Sequence, residues 1–243
     1  VVRYLIFVLV MALCATVPAT AQTRSDESFD NELSYGINFN SNAGLIGGVF
    51  LRSSYYKRDR LYQFWAVELV EVKHPKERQI YSVRSGETFV RGKQNYMFVV
   101  RPQYGGEYVL FKKAAESGVQ VNAVGAAGPS FGLMVPYYVR YSVGNQGFDD
   151  IRTVRYDPNT LLLENIYGSS GVFTGLNETN VNMGVHFKAG LSFEYGRYHE
   201  SITGIEVGFL VEQFFKKPII IPEARNSNTF TSVYLNLYYG RRK

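Results

Sequence analysis

The chain has 243 residues, which suits one large all-β domain or two small ones, and its formal charge of +5 is too weak and too dispersed to point to nucleic acid. Its one cysteine, Cys14, lies in an N-terminal apolar run, so residues 22–243 hold no disulfide, no thiol nucleophile and no thiolate metal ligand. Many of the 23 glycines fall inside strand-like segments, where they weaken an ordinary strand but suit a narrow barrel interior.

Arg3, the apolar run from Tyr4 to Val17, Pro18 and Ala19-Thr20-Ala21 together read as a signal peptide over residues 1–21. The run is shorter than the roughly 18 residues a spanning helix requires. Residues 22–32 are polar and acidic and read as a periplasmic leader. No later run is long enough to span as a helix, so a place in a membrane would require a closed barrel.

From Leu33 the pattern has period two, the strand signature. Leu33 to Asn40 alternates Leu33, Tyr35, Ile37 and Phe39 with Ser34, Gly36, Asn38 and Asn40. Further strands are expected over Leu45 to Tyr55, Leu61 to Val72 and Asn95 to Gly105. A fifth starts at Val119 and extends toward Tyr141, with a kink or break at Gly128-Pro129 or Pro136. In the connection from Gly144 to Asn180, Asp157 and Pro158 predict the capped start of one short helix ahead of Leu161-Leu162-Leu163. The plainest hairpin follows: Val181 to Tyr195, a turn over Gly196 to Glu200, then Ile205, Val207, Phe209 and Val211 on one face. Phe230 to Gly240 completes the set. The fold expected over 33–243 is an eight-stranded antiparallel transmembrane β-barrel.

Two patterns bear on orientation. With the N-terminus in the periplasm, the long connections His74 to Lys93, Gly144 to Asn180 and Gln213 to Asn228 fall outside, and the shorter ones fall inside; Ser41 to Gly44 is the short exception. Tyr35, Tyr55, Tyr104, Tyr195 and Tyr239 share the lipid-facing parity at the periplasmic strand ends, where an interfacial girdle belongs.

The chain resembles the small eight-stranded outer-membrane barrels of Gram-negative bacteria, the OmpA/OmpX-like type, over residues 22–243. Val72-Lys73-His74-Pro75-Lys76-Glu77, Gly92-Lys93-Gln94-Asn95-Tyr96 and Arg101-Pro102-Gln103-Tyr104-Gly105 look like barrels of Bacteroidota. That resemblance implies an outer membrane with secretion and protein-insertion machines that carry small accessory barrels. The C-terminus departs from the usual pattern, because Arg241-Arg242-Lys243 stands where an aromatic residue commonly ends the insertion signal.

The inward parity collects Arg52, Glu68, Arg101, His186, Lys188, Glu194, Glu206 and Glu212. Opposite charges in a lumen can pair and plug it; the alternative is proton or ion passage, although eight strands leave little open bore. A register centred on the Gly196 to Glu200 turn sets His186 near Glu212. His199-Glu200-Ser201 is similar to the His-x-Ser pair of outer-membrane lipid A deacylases, with Glu206 as a conceivable third member, but it falls on the periplasmic side, away from lipid A. His74, His186 and His199 lack ligand spacing, so neither a metal nor a cofactor is expected. Two apolar stretches in external loops, Leu161, Leu162 and Leu163, and Phe214, Phe215, Ile219, Ile220 and Ile221, are candidate partner contacts. They could equally pack on each other as a lid. The expected role is a non-enzymatic structural or interaction subunit, in contact with outer-membrane lipid and with other envelope proteins. A lipid-modifying enzyme and a narrow channel are the alternatives.

Overall fold

A computed structural model of the chain describes residues 30–44, 46–112, 118–143, 150–198 and 201–242. Within them the period-two alternation becomes strands whose neighbouring residues face opposite sides of one closed wall. Eight strands build it: β1 (Asn31–Asn40), β2 (Gly48–Arg58), β3 (Leu61–Val72), β6 (Asn95–Phe111), β7 (Gln120–Pro136), β11 (Asn180–Tyr198), β12 (Ser201–Phe214) and β13 (Thr229–Arg242). Each pairs antiparallel with its neighbours in chain order, and β1 closes the ring on β13. Five short strands lie outside the wall: β4 (Gln79–Tyr81), β5 (Thr88–Val90), β8 (Tyr138–Ser142), β9 (Ile151–Arg155) and β10 (Ile166–Ser169).

The register fixes the bore. From Tyr35 the pairing runs through Leu51, Val67 and Pro102 to the level of Pro129, then through Val185 and Gln213 to Thr229 on β13. Tyr35 itself pairs with Tyr239, so the ring closes with a stagger of ten residues, from Thr229 to Tyr239. Eight tilted strands with that stagger enclose a bore that side chains can fill.

Outside and inside are inverted relative to a water-soluble domain. Trp65, Phe187 and Phe209 are 62%, 58% and 70% exposed, while Glu68, Glu206 and Glu212 are at most 1% exposed. An outward apolar belt around a polar interior is the arrangement of a membrane-spanning barrel. No described helix is long and apolar enough to cross a membrane, which says nothing about strands. Tyr35, Tyr104, Tyr195 and Tyr239 face outward near the end of the wall where β1 begins and β13 ends. Tyr35 meets Tyr239 edge-on at 6.0 Å, and the Tyr55 and Tyr104 hydroxyls lie 3.3 Å apart.

Three local expectations need correction. β7 does not break at Gly128-Pro129; it runs unbroken to Pro136. The β6–β7 ladder instead skips from Val100↔Phe131 to Tyr104↔Ala127, the interval that holds Pro102 and Pro129. Two residues without an N–H thus share one gap in one ladder, while the β7–β11 ladder stays continuous. The helix expected from Asp157 is a turn: the Asp157 carbonyl accepts the N–H groups of Thr160 and Leu161, and its carboxylate accepts that of Asn159. Only 3-10 turns follow, over Leu163–Asn165 and Val172–Glu178. Leu161 and Leu163, which would have lengthened the helix, pack instead against the buried cluster of Phe89, Tyr137, Val139, Tyr156 and Ile166, while Leu162 is exposed. Finally, β1, β6 and β13 extend past their expected ends at the terminal side, to Asn31, Phe111 and Arg242.

Candidate functional site: a filled lumen beneath an external cap

The inward residues form three tiers. In the tier farthest from the β2–β3 turn, Arg101 grips Glu212 with two parallel hydrogen bonds of 2.8 Å, the fork-to-carboxylate geometry that makes such pairs strong. Ser130 donates to the same carboxylate at 2.6 Å, and His186 Nδ1 lies 3.0 Å from the Ser130 oxygen. A hydroxyl has one hydrogen, and this one goes to Glu212, so Nδ1 carries the ring proton and donates to Ser130. That polarity is the reverse of a base-activated serine, so the three residues do not form a nucleophile. The register does set His186 opposite Glu212, but Ser130 stands between the side chains.

The middle tier turns on Lys188, whose ammonium bridges Glu68 at 2.7 Å and Glu206 at 3.1 Å. Gln103 donates to Glu68 at 2.9 Å, and Arg52 pairs with Glu206 while lying over the Phe64 ring at 4.6 Å. Arg101 also approaches Glu68 at 3.9 Å, which joins the upper two tiers.

The tier at the terminal end holds Glu194 with Glu32, Glu107 and Arg242. Arg242 bonds Glu32 at 2.8 Å and Glu194 at 2.5 Å, and Asn122 donates to Glu107 at 2.5 Å and to Glu194 at 2.8 Å. Glu32 and Arg242 are direct partners across the β1–β13 seam, so Arg242 clasps the closure of the barrel. All eight charged residues singled out by parity are therefore brought into the lumen. Glu32, Glu107 and Arg242 escaped that reading because the expected strands stopped short of them. Their signal was the same alternation carried a few residues further.

An apolar plug covers the network at the mouth opposite the β2–β3 turn. Phe214, Ile220 and Ile221 pack with Val70, Val72, Met97, Val99 and Met134. The loop after β12 is turned inward by Asn226, whose carboxamide accepts the Ile220 N–H at 3.1 Å and donates to the Ile221 carbonyl at 2.8 Å. The Gln94 N–H donates to the Ile220 carbonyl at 2.8 Å, which ties the loop to the start of β6.

Beside the plug, the other long connections build a cap with a core of its own. β8 is the centre of a three-stranded sheet between β9 and β10, and the β4–β5 hairpin lies beside β10. Phe89, Tyr137, Val139, Tyr156 and Ile166 are buried together there. The Tyr137 and Tyr156 hydroxyls accept the N–H groups of Val90 and Gly92, so two phenols hold the hairpin. Burial pushes the Tyr137 phenol above its ordinary range and keeps it neutral in this core.

These placements correct the expected partner contacts. Phe214, Ile220 and Ile221 are buried in the plug, Ile219 is half-buried, and Leu161 and Leu163 pack against the cap core. Only Leu162 and Phe215, 63% and 70% exposed, stay open to a partner. Val83 and Tyr81, on the β4–β5 hairpin, are exposed as well and had not been singled out. Glu206 is committed to Arg52 and Lys188 inside the wall, which removes it as a third member beside Ser201; His199 and Glu200 lie outside the described residues.

No family model matches the chain, and no curated protein does. Among solved structures it is similar to Neisserial surface protein A, with TM-score 0.41 and 9% identity over 88% of this chain and 96% of that one. It is similar also to Ail, the attachment invasion locus protein of Yersinia pestis, in complex with the heparin analogue sucrose octasulfate, with TM-score 0.40 and 9% identity over 88% and 96%. A third is the outer membrane protein OprG from Pseudomonas aeruginosa, with TM-score 0.36 and 10% identity over 89% and 96%. The barrel assigned to this chain rests on its own strand pairing and on its inverted polarity.

Proposed function

We propose that this chain is a non-enzymatic barrel of a Gram-negative outer membrane, and that it serves as a structural or interaction subunit of a larger cell-envelope machine for secretion or outer-membrane protein assembly. The observation that carries the reading is the division of labour along the axis. The lumen is filled by paired charges and plugged by Phe214, Ile220 and Ile221, whereas the outer end is built into an ordered cap. A filled lumen argues against conduction, and the reversed Ser130 hydrogen bond argues against covalent chemistry there. The effort of folding a second core outside the membrane is accounted for if the cap holds a surface in shape. Val83 and Leu162, 91% and 63% exposed, are open apolar residues of the cap, in the β4–β5 hairpin and beside the Leu163–Asn165 turn.

Native purification in mild detergent tests this. The barrel should travel with other envelope proteins, and the variant Val83→Asp with Leu162→Asp should lose them while its own barrel folds normally. A lone monomer from wild-type membranes contradicts the proposal.

A further inference from the structure

We infer that the end of the barrel where β1 begins and β13 ends holds a binding patch for anionic phospholipid headgroups, built on the β2–β3 turn and the adjoining end of β6. The inference rests on the membrane-spanning reading and concerns the opposite end of the molecule from the cap.

β2 and β3 are joined by two residues, Asp59 and Arg60. Two-residue hairpins favour glycine or asparagine where φ is positive. Here Arg60 adopts φ 59°, and among the described residues it is the only non-glycine residue at positive φ. A bulky cation therefore occupies a position whose backbone favours a small residue, and such outliers point to a use for the side chain. The Arg60 carbonyl accepts the Val109 N–H at 2.8 Å, which fixes the turn against β6. Lys57, Arg58 and Arg60 are all exposed, and Lys112, just beyond β6, approaches Asp59 at 3.9 Å. Among the described residues, Lys57, Arg58, Arg60 and Lys112 thus outnumber the exposed carboxylates of this end, Asp59 in the turn and Asp30, whose carbonyl accepts the Tyr56 N–H.

The same two hairpin ends extend the apolar belt up to these cations. Tyr108 and Phe111 are 46% and 64% exposed, and Leu61, which follows Arg60, pairs with Tyr108. A ligand that joins a hydrocarbon chain to a phosphate matches that sequence of surfaces: the chain lies on Tyr108 and Phe111, and the phosphate meets Arg60, Arg58 and Lys57. A soluble acidic partner would use the cations alone. In the orientation proposed above, the source of the phosphate is the periplasmic leaflet.

Trp65, the only tryptophan, is on the lipid face of β3 and 4.7 Å from the Tyr104 ring, so its fluorescence samples the lipid beside this hairpin. The purified barrel is reconstituted in phosphatidylcholine bilayers doped with brominated phosphatidylglycerol or, as reference, brominated phosphatidylcholine. The phosphatidylglycerol should be enriched about fivefold beside Trp65 at low salt, the effect of roughly one well-placed cation, and high salt should erase the preference. Arg60→Asn combined with Lys57→Gln should also erase it. Asparagine tolerates the left-handed turn, so the variant keeps the hairpin. Equal quenching by the two lipids in the wild type overturns the inference, and so does a preference that persists in the variant. Failure to enter phosphatidylcholine bilayers at all would strike the membrane-spanning reading first and this inference with it.

Discussion

Glu206→Ala is expected to destabilise the folded barrel by about 3–5 kcal/mol, the range for removing one partner from a buried ion pair. Glu206 has no exposed surface, and it is the carboxylate shared by Arg52 and Lys188. Its loss leaves the Arg52 guanidinium, 2% exposed, without the carboxylate it pairs with, and leaves Lys188 with Glu68 alone. A charge buried without a counter-charge is the costly state, because the low-dielectric lumen offers it nothing in exchange for lost water. Urea unfolding in detergent micelles, followed by Trp65 emission, measures the change. A loss of less than about 1 kcal/mol, the size found for exposed pairs, would mean that water reaches the middle tier and that the lumen is not packed shut.

The second large effect concerns the plug. Phe214 is fully buried, meets Phe230 edge-on at 5.8 Å, and anchors the start of the loop that carries Ile220 and Ile221. Phe214→Ala is expected to cost about 3–5 kcal/mol, combining lost burial with the cavity left behind. The mutation should act locally. Hydrogen exchange should quicken at the Ile220 and Ile221 amides, which Asn226 now holds, while the Val90 and Gly92 amides of the cap remain protected by Tyr137 and Tyr156. Faster exchange in both places would show that the plug and the cap are one cooperative unit.

Much of this architecture was legible because a strand repeats every two residues and a barrel has only two sides to assign. The same parity that puts Trp65, Val67 and Leu69 on lipid puts Glu68 inside, and the β11–β12 register expected from the sequence is the one that brings His186 opposite Glu212. Parity does not say which inward side chains touch. Glu68 lies on β3 and Lys188 on β11, and they meet across the bore rather than along the wall, so their pairing depends on the stagger of the closed ring. Strand ends were the weaker part of the reading, since Glu32, Glu107 and Arg242 continue the alternation beyond the point where polar residues suggest a loop. Loops were the weakest. An apolar tripeptide such as Ile219-Ile220-Ile221 has the same composition whether it faces a partner or folds inward. What turns it inward is Asn226, five residues beyond Ile221, together with the N–H of Gln94 from another loop. The cap has no periodic signal at all, because its strands are three to five residues long and its core is assembled from two separate connections.

The account as a whole depends on a wall that spans a membrane with the cap on one side and the turn at Asp59-Arg60 on the other. Single cysteines at Leu162 and at Asp59, in a chain whose one native cysteine is at position 14, can be probed in whole cells with a membrane-impermeant maleimide. Leu162→Cys should be labelled in intact cells, and Asp59→Cys only after the outer membrane is permeabilised. Labelling of Asp59→Cys but not of Leu162→Cys in intact cells would invert the orientation, and equal labelling of both would contradict a membrane-spanning barrel.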